Sequence, residues 1–169
     1  MVNVELNKQA KLSQHFSLGE LTKTSVNSLD GNIPSHEAIE NLKRLCPWLE
    51  ELRYTYNSLY CLKPGEDYET SKNVEPIIIT SGYRSPDVNR AVGGANSSNH
   101  LTGCAVDIRC AGVEQAIRYA AILLDAADDR QEDFDELLIE RNRKGHYWVH
   151  VAVRPPKEGN RRKTMFIAT

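Results

Sequence analysis

The sequence predicts an α+β fold in which helices pack on a small antiparallel sheet. Apolar residues recur every three or four positions between residues 36 and 59, as on one face of a long helix. Short apolar, β-branched runs such as "PIIITSG" (76–82) and "CAVDIR" (104–109) are typical of strands. Two further strand-like segments, "DELLIER" and "HYWVHVAV", are separated only by the turn "NRKG". Local strand pairing of this kind favours α+β over a doubly wound parallel sheet.

Capping residues predict where the first two helices begin. In "FSLGEL", Ser17 and Glu20 form the pattern of a capping box, so a short helix begins after Ser17. Ser35 caps the next helix, and Pro47 is expected to kink that helix or divide it in two. The apolar face of this helix comprises Ile39, Leu42, Leu45, Leu49, Leu52, Tyr56 and Leu59.

Turn signals separate the later elements. Residues 61–75 are predicted to form a polar loop before the strand at 76–82. The segment "SPDVNRAV" has the Ser-Pro start of a helix, and the two glycines that follow it can end that helix. "VEQAIRYAAILLDAA" (113–127) predicts another helix.

Length and charge indicate one ordinary globular domain spanning residues 1–169. The 21 Lys and Arg against 23 Asp and Glu leave a formal net charge of -2, so nucleic acid is not an expected partner. The basic cluster at 161–163 is predicted to be a solvated tail or the flank of a strand. No apolar run approaches the ~18 residues of a membrane span. We expect a monomer.

The N-terminus and the cysteines both favour a reducing compartment. The segment "MVNVELNKQAKLSQHF" lacks the apolar centre of a secretory signal, which indicates a cytoplasmic protein or one released by lysis or another carrier. The four cysteines form no C-x-x-C motif, so free thiols are expected. A Cys104–Cys110 or Cys46–Cys61 disulfide is the alternative.

The stretch "SSNHLTGCAVDIR" (97–109) contains two residues of metal-ligand type. His100 and Asp107 lie seven positions apart, and alternation puts Asp107 on the face of its strand opposite the apolar residues. In "WVHVAV", His150 likewise lies opposite the valines. Two histidines and an aspartate form a zinc set that leaves a fourth position open, as catalytic sites do. The alternative is a hydrogen-bonded strand histidine and an aspartate that caps a turn.

Residues 98–107, "SNHLTGCAVD", resemble the S-x-H-x-x-G-x-A-x-D signature of the zinc D-alanyl-D-alanine carboxypeptidases. That family includes phage endolysin peptidases, and its fold is shared with the Hedgehog signalling domain. The similarity covers roughly residues 15–165. The segments "HFSLGELTKTS", "SGYRSPDVNRAVGG", "FDELLIE", "WVHVAV" and "NRRK" follow, in order, the layout of a phage- and prophage-associated branch.

The resemblance implies a zinc peptidase that cuts bacterial peptidoglycan in stem peptides or cross-links, beside a D-amino acid. It implies that Arg84 and Ser98 contact the substrate, and that Arg84 also stabilises the charge that develops in catalysis. The protein would act on the cell wall after release from the cytoplasm or from a phage. The zinc ligands that it implies are His100, Asp107 and His150.

The general base is where this chain departs from the family. Members carry a Glu three residues before the last zinc histidine, and this chain has Tyr147 there. We favour Glu140 as the substitute, with His146 as its rival. Opposed residues of an antiparallel pair share a face, so Glu140 lies beside His150 only if the connecting loop has an odd number of residues or contains a bulge. A four-residue "NRKG" loop would put Glu140 among the valines.

The sequence leaves alternatives for the roles of two aromatic residues and for the function. Trp148 is expected to bind substrate, and Tyr83 to line the same groove, with packing in the core as the alternative for each. The absence of a Glu at position 147 also leaves a non-catalytic, zinc-containing cell-wall-binding module of the same fold as the alternative function.

Overall fold

The computed structural model describes residues 7–168. The first six residues of the N-terminal segment that lacks the pattern of a secretory signal lie outside this range, as does Thr169. The described part contains four α-helices: α1 (Leu18–Leu21), α2 (His36–Tyr60), α3 (Pro86–Ala91) and α4 (Val113–Arg130). Two short 3-10 helices span Asn99–Thr102 and Pro156–Glu158. The strands are β1 (Ile79–Ser81), β2 (Ala105–Cys110), β3 (Glu136–Arg141), β4 (Tyr147–Ala152) and β5 (Lys163–Ala168). Over the described range, no helix has both the length and the apolar composition needed to cross a membrane.

The strands form one open sheet in the order β1-β2-β4-β3-β5. Neighbouring strands are antiparallel, except that β3 and β5 are parallel. The predicted α+β class is confirmed, although the sheet is mixed rather than purely antiparallel. Sequence analysis missed β5 because "KTMFIA" shows no alternation of apolar and polar residues. The basic cluster at 161–163 lies at the start of this strand, so of the two predictions, a solvated tail or the flank of a strand, the second is confirmed.

The predicted caps are present at the starts of α1, α2 and α3. Ser17 and Glu20 form the reciprocal capping box, and the side chain of Ser35 accepts a hydrogen bond from the backbone N–H of Ala38. Ser85 does the same for α3, with a proline at its first position. These bonds satisfy backbone donors that a helix start would leave unpaired.

Helix α2 is continuous through Pro47, so the prediction that Pro47 could divide it was wrong. The neighbouring side chains of Leu45, Trp48 and Leu49 are at most 1 % exposed. Their burial offsets the lost backbone hydrogen bond, whose cost in a helix interior is about 3 kcal/mol. The buried face ends before Leu59, which is 63 % exposed.

The two faces of the sheet have different roles. Side chains alternate along each strand, so one face carries the apolar residues that are buried with α2 and α4 in the core. On β2 and β4 these residues are Val106, Ile108, Val149 and Val151. The opposite face carries the polar residues of the same strands, among them Asp107 and His150. The fold therefore supplies a rigid polar face for a site.

Candidate metal centre

Three side chains of metal-ligand type converge on the polar face of the sheet. They are His100, Asp107 and His150, each no more than 7 % exposed. One ligand atom from each lies within 4.8 Å of the other two. Nδ1 of His150 is 2.9 Å and Nε2 of His100 is 3.3 Å from the same oxygen, Oδ1 of Asp107. The fold thus brings together the three residues that the sequence suggested as metal ligands.

Strand register positions two of the three residues. Asp107 of β2 lies directly opposite His150 of β4, and opposed residues of an antiparallel pair share a face. His100 comes from the 3-10 helix that precedes β2. That helix ends at Gly103, whose φ of 74° is a left-handed conformation that favours glycine. A Cβ atom at Gly103 would also lie under 3.0 Å from the carbonyl oxygen of Ala38, so α2 packs tightly against this loop.

A backbone carbonyl orients His100. Nδ1 of His100 lies 2.6 Å from the carbonyl oxygen of Gly82, which can only accept a hydrogen bond. In the neutral ring the proton is therefore on Nδ1, and Nε2, which lies 3.3 Å from Oδ1 of Asp107, carries the lone pair that a metal ion would accept. Gly82 is itself tightly packed, because a Cβ atom there would meet the carbonyl oxygen of Leu21 in α1. The first helix thus supports the site indirectly.

Arg84 lies beside Asp107. Its Nη2 donates to Oδ2 of Asp107 at 2.6 Å, and its Nε donates to Oγ of Ser81 at 2.8 Å. Burial alone would raise the pKa of Asp107, but His100 and His150 hold that pKa well below its ordinary value. Asp107 is therefore an ionised carboxylate with one oxygen on the arginine and the other towards the two histidines.

The second ring nitrogen of His150 faces Glu136, a residue that sequence analysis did not single out. Nε2 of His150 lies 3.5 Å from Oε2 of Glu136. Burial alone would lower the pKa of His150, but the carboxylates of Asp107 and Glu136 raise it to about 9. The interactions with His150 and Lys163 hold the pKa of Glu136 below its ordinary value despite partial burial. A negative charge thus lies on each side of the His150 ring.

Glu140 shares the face of His150. Glu140 is directly opposite Trp148, which is two residues from His150 and therefore on the same face. The strands end at Arg141 and Tyr147, so the loop comprises the five residues 142–146 and its length is odd. Burial, and then the charge of Asp107, raises the pKa of Glu140. Glu140 therefore meets the condition predicted from the sequence, namely that a loop with an odd number of residues puts it on the face of His150.

A sequence comparison places this chain in a known family. Residues 66–152, just over half of the chain, match the sequence profile of the family described as peptidase M15. The chain belongs to the peptidase M15 family. No curated protein matches it. The matched segment reaches the end of β4 and includes the whole metal cluster, whereas α1, α2 and β5 lie outside it.

M15 peptidases are zinc-dependent, and the cluster fits that metal. Two imidazole nitrogens and one carboxylate oxygen form a donor set that zinc accepts, with a fourth position left for chemistry. Asp107 is held ionised, and the contact of His100 Nδ1 with the carbonyl of Gly82 leaves Nε2 as the nitrogen available to a metal ion. Zinc would be held by His100, Asp107 and His150.

The other residues predicted to belong to the site differ in their burial and contacts. Ser98 caps the 3-10 helix, since its Oγ accepts a hydrogen bond from the backbone N–H of His100 at 3.3 Å. Trp148 lies on the site face of the sheet and is half-buried. Tyr83 is only 8 % exposed and packs in the core, which was the alternative to lining the groove. His146, the rival base, is an exposed residue of the turn; its predicted place within the strand was wrong by one residue.

Sequence analysis could have found Glu136 by the same argument that found Glu140. The two glutamates are four positions apart in "ELLIE", and residues an even number apart in a strand share a face. Any register that puts one of them beside His150 therefore puts both on the site face.

Proposed function

We propose that this M15 peptidase is a zinc-dependent enzyme that hydrolyses peptide bonds of bacterial peptidoglycan, in stem peptides or cross-links, beside a D-amino acid. The observation that carries the proposal is the buried His-Asp-His cluster with Glu140 on the same face of the sheet. Family membership supports a metallopeptidase. The resemblance of residues 98–107 to the D-alanyl-D-alanine carboxypeptidase signature supports the substrate class.

The proposal includes the setting in which the enzyme acts. Residues 1–169 form one peptidase domain that works as a monomer, without nucleic acid as a partner. The layout shared with phage- and prophage-associated relatives supports an endolysin type of action. The enzyme would then reach the cell wall after release from the cytoplasm or from a phage.

Glu140 is the proposed general base. A bound zinc ion would supply Lewis-acid chemistry that makes water nucleophilic near neutral pH. The Glu140 carboxylate accepts the proton of the attacking water and then donates it to the amine that leaves. Burial and the charge of Asp107 raise the pKa of Glu140, which brings its basicity closer to the value that favours proton transfer near neutral pH.

Arg84 and Trp148 are the proposed contacts to substrate, together with Ser98. The guanidinium group of Arg84 is held beside Asp107, and its planar fork has further N–H donors for a developing oxyanion or a substrate carboxylate. Trp148 lies on the same face of the sheet as Glu140 and His150 and offers an aromatic surface to the peptide.

A second candidate function is a non-catalytic cell-wall-binding module of the same fold. The observation that favours it is Tyr147, which occupies the position where the carboxypeptidases that this chain resembles carry a glutamate. Such a module would keep the zinc and the groove but would cleave nothing.

The decisive experiment digests purified peptidoglycan with zinc-loaded protein and identifies the released peptides by mass spectrometry. We expect about one zinc per chain and cleavage beside a D-amino acid. Glu140→Gln keeps the shape of the side chain and removes the proton acceptor, so hydrolysis should fall by ~10²-fold or more while zinc content is unchanged.

His146→Ala is the matched control, because it removes the rival base from an exposed turn. It should cost far less activity than Glu140→Gln. Near-normal cleavage by Glu140→Gln would exclude Glu140 as the base and make His146 the leading candidate. Zinc bound but no peptide released by the unmodified protein would favour the binding module, and zinc well below one per chain would refute the metal site.

A further inference from the structure

Two glutamates of β3 flank the candidate metal centre. The residue of β3 directly opposite His150 is Leu138, and Glu136 and Glu140 lie two positions to either side of it. Diagonal neighbours of this kind remain within reach of long side chains. The two glutamates are therefore equivalent in register with respect to His150, but their surroundings differ.

Glu136 is surrounded by hydrogen-bond donors. Its Oε1 accepts from Nζ of Lys163 at 3.1 Å and lies 3.1 Å from Nη2 of Arg161. Its Oε2 accepts from Nδ2 of Asn99 at 3.1 Å. The same Oε2 faces Nε2 of His150 at 3.5 Å. A carboxylate paired with two cations is ionised and can only accept hydrogen bonds.

Nε2 of His150 needs such an acceptor. It is one of three buried side-chain nitrogen or oxygen atoms within residues 7–168 that lack a hydrogen bond of ordinary geometry. A shift of about half an ångström would bring the 3.5 Å separation from Glu136 to a normal hydrogen-bond length. Because Glu136 can only accept, it keeps a hydrogen on Nε2. Nδ1 faces Oδ1 of Asp107 at 2.9 Å, and the proton on Nδ1 is the one that a metal ion would replace.

We infer that Glu136 is a positioning residue that holds His150 in the Nε2–H tautomer and so presents Nδ1 to the metal. This inference rests on the proposed zinc site. Glu136 does for His150 what the carbonyl of Gly82 does for His100, so the two histidines bind through different ring nitrogens. Outer partners of this type set the orientation and basicity of metal ligands.

Glu136 also connects the metal centre to β5 and to the loop that carries His100. Lys163 is the first residue of β5, and Asn99 directly precedes His100. Nδ2 of Asn99 donates to Asp135 at 2.8 Å as well as to Glu136. Asp135 is fully buried and receives three hydrogen bonds from Arg161, two from its side chain and one from its backbone N–H. This network limits the movement of Glu136, as a positioning role requires.

The test compares zinc affinity, measured by competition with a chelator, between two matched alanine variants. Glu136→Ala should weaken zinc binding by about 10- to 100-fold. Glu140→Ala removes a carboxylate at the equivalent register position. It should weaken zinc binding by well under tenfold, because only the negative charge of a nearby side chain is lost. Glu136→Gln keeps an acceptor oxygen and should recover part of the affinity.

Nitrogen-15 NMR of the histidine rings in the zinc-loaded, unmodified protein provides a second readout that needs no variant to fold. We expect an Nδ1–H ring for His100 and an Nε2–H ring for His150. Metal on Nε2 of His150, or equal zinc affinity in the two alanine variants, would refute the inference and leave the proposed function standing. Failure of the unmodified protein to bind zinc would overturn both.

Discussion

Substitution of Gly103 by alanine tests whether the helical layer holds the loop that carries His100 in place. Gly103 ends the 3-10 helix that carries His100, and its φ of 74° is unfavourable for any residue with a Cβ atom. The left-handed conformation costs an alanine about 1–2 kcal/mol. The new Cβ atom would also lie under 3.0 Å from the carbonyl oxygen of Ala38, where ordinary contacts are 3.4–4 Å.

The two effects of Gly103→Ala add. Overpacking of a tight site costs about 1–3 kcal/mol, so the free energy of unfolding should fall by about 2–5 kcal/mol in total. That loss is a large fraction of the stability of an ordinary domain. Because the N–H of Gly103 donates to the carbonyl of His100, the displaced loop should also weaken zinc binding. Urea unfolding of the metal-free protein and chelator competition measure the two effects separately.

Gly93→Ala is the matched control. Gly93 has a similar φ of 71°, follows α3, and has no atom within 4 Å of the position that a Cβ atom would take. Its substitution should show only the conformational cost of about 1–2 kcal/mol and normal zinc affinity. Equal stability of the two variants would refute the argument, because it would mean that the contact with Ala38 does not constrain the loop.

Two further predictions concern ionisable side chains. Titration of the unfolded, non-reduced protein should find four thiols per chain, because all four cysteines are free in the structure, and a count of two would reveal a disulfide. In the folded protein Cys61 should react first, since the other three are buried and burial raises the pKa of Cys46 to about 11 and that of Cys110 to about 12. The acid limb of kcat/KM should lie at higher pH than for an ordinary glutamate, because burial raises the pKa of Glu140 and protonation as the pH falls removes the proposed base. Trp148→Phe removes a hydrogen bond that lowers this pKa, so it should move the acid limb to higher pH, and an unchanged or lower limb would contradict the role of Glu140.

Short-range interactions account for the features that could be predicted from the sequence. The caps at Ser17, Ser35 and Ser85 join side chains to backbone groups only three residues away, so they are visible in any short stretch of sequence. Alternation along "CAVDIR" and "WVHVAV" likewise determined that Asp107 and His150 lie opposite the apolar residues of their strands. The fold class and the candidate metal ligands therefore followed from local patterns and from the resemblance to a known family.

The positions of Glu136 and Glu140 beside the candidate metal centre depend on tertiary structure. The face on which Glu140 lies depends on whether the β3–β4 loop has four residues or five, and strand pairing rather than turn composition sets that number. The contacts of Asp107 with Arg84 and His150 join residues 23 and 43 positions apart, and β5 adds Lys163 beside Glu136 by parallel pairing. Such contacts depend on how whole elements pack, and a local sequence pattern carries no information about the register between elements distant in the chain.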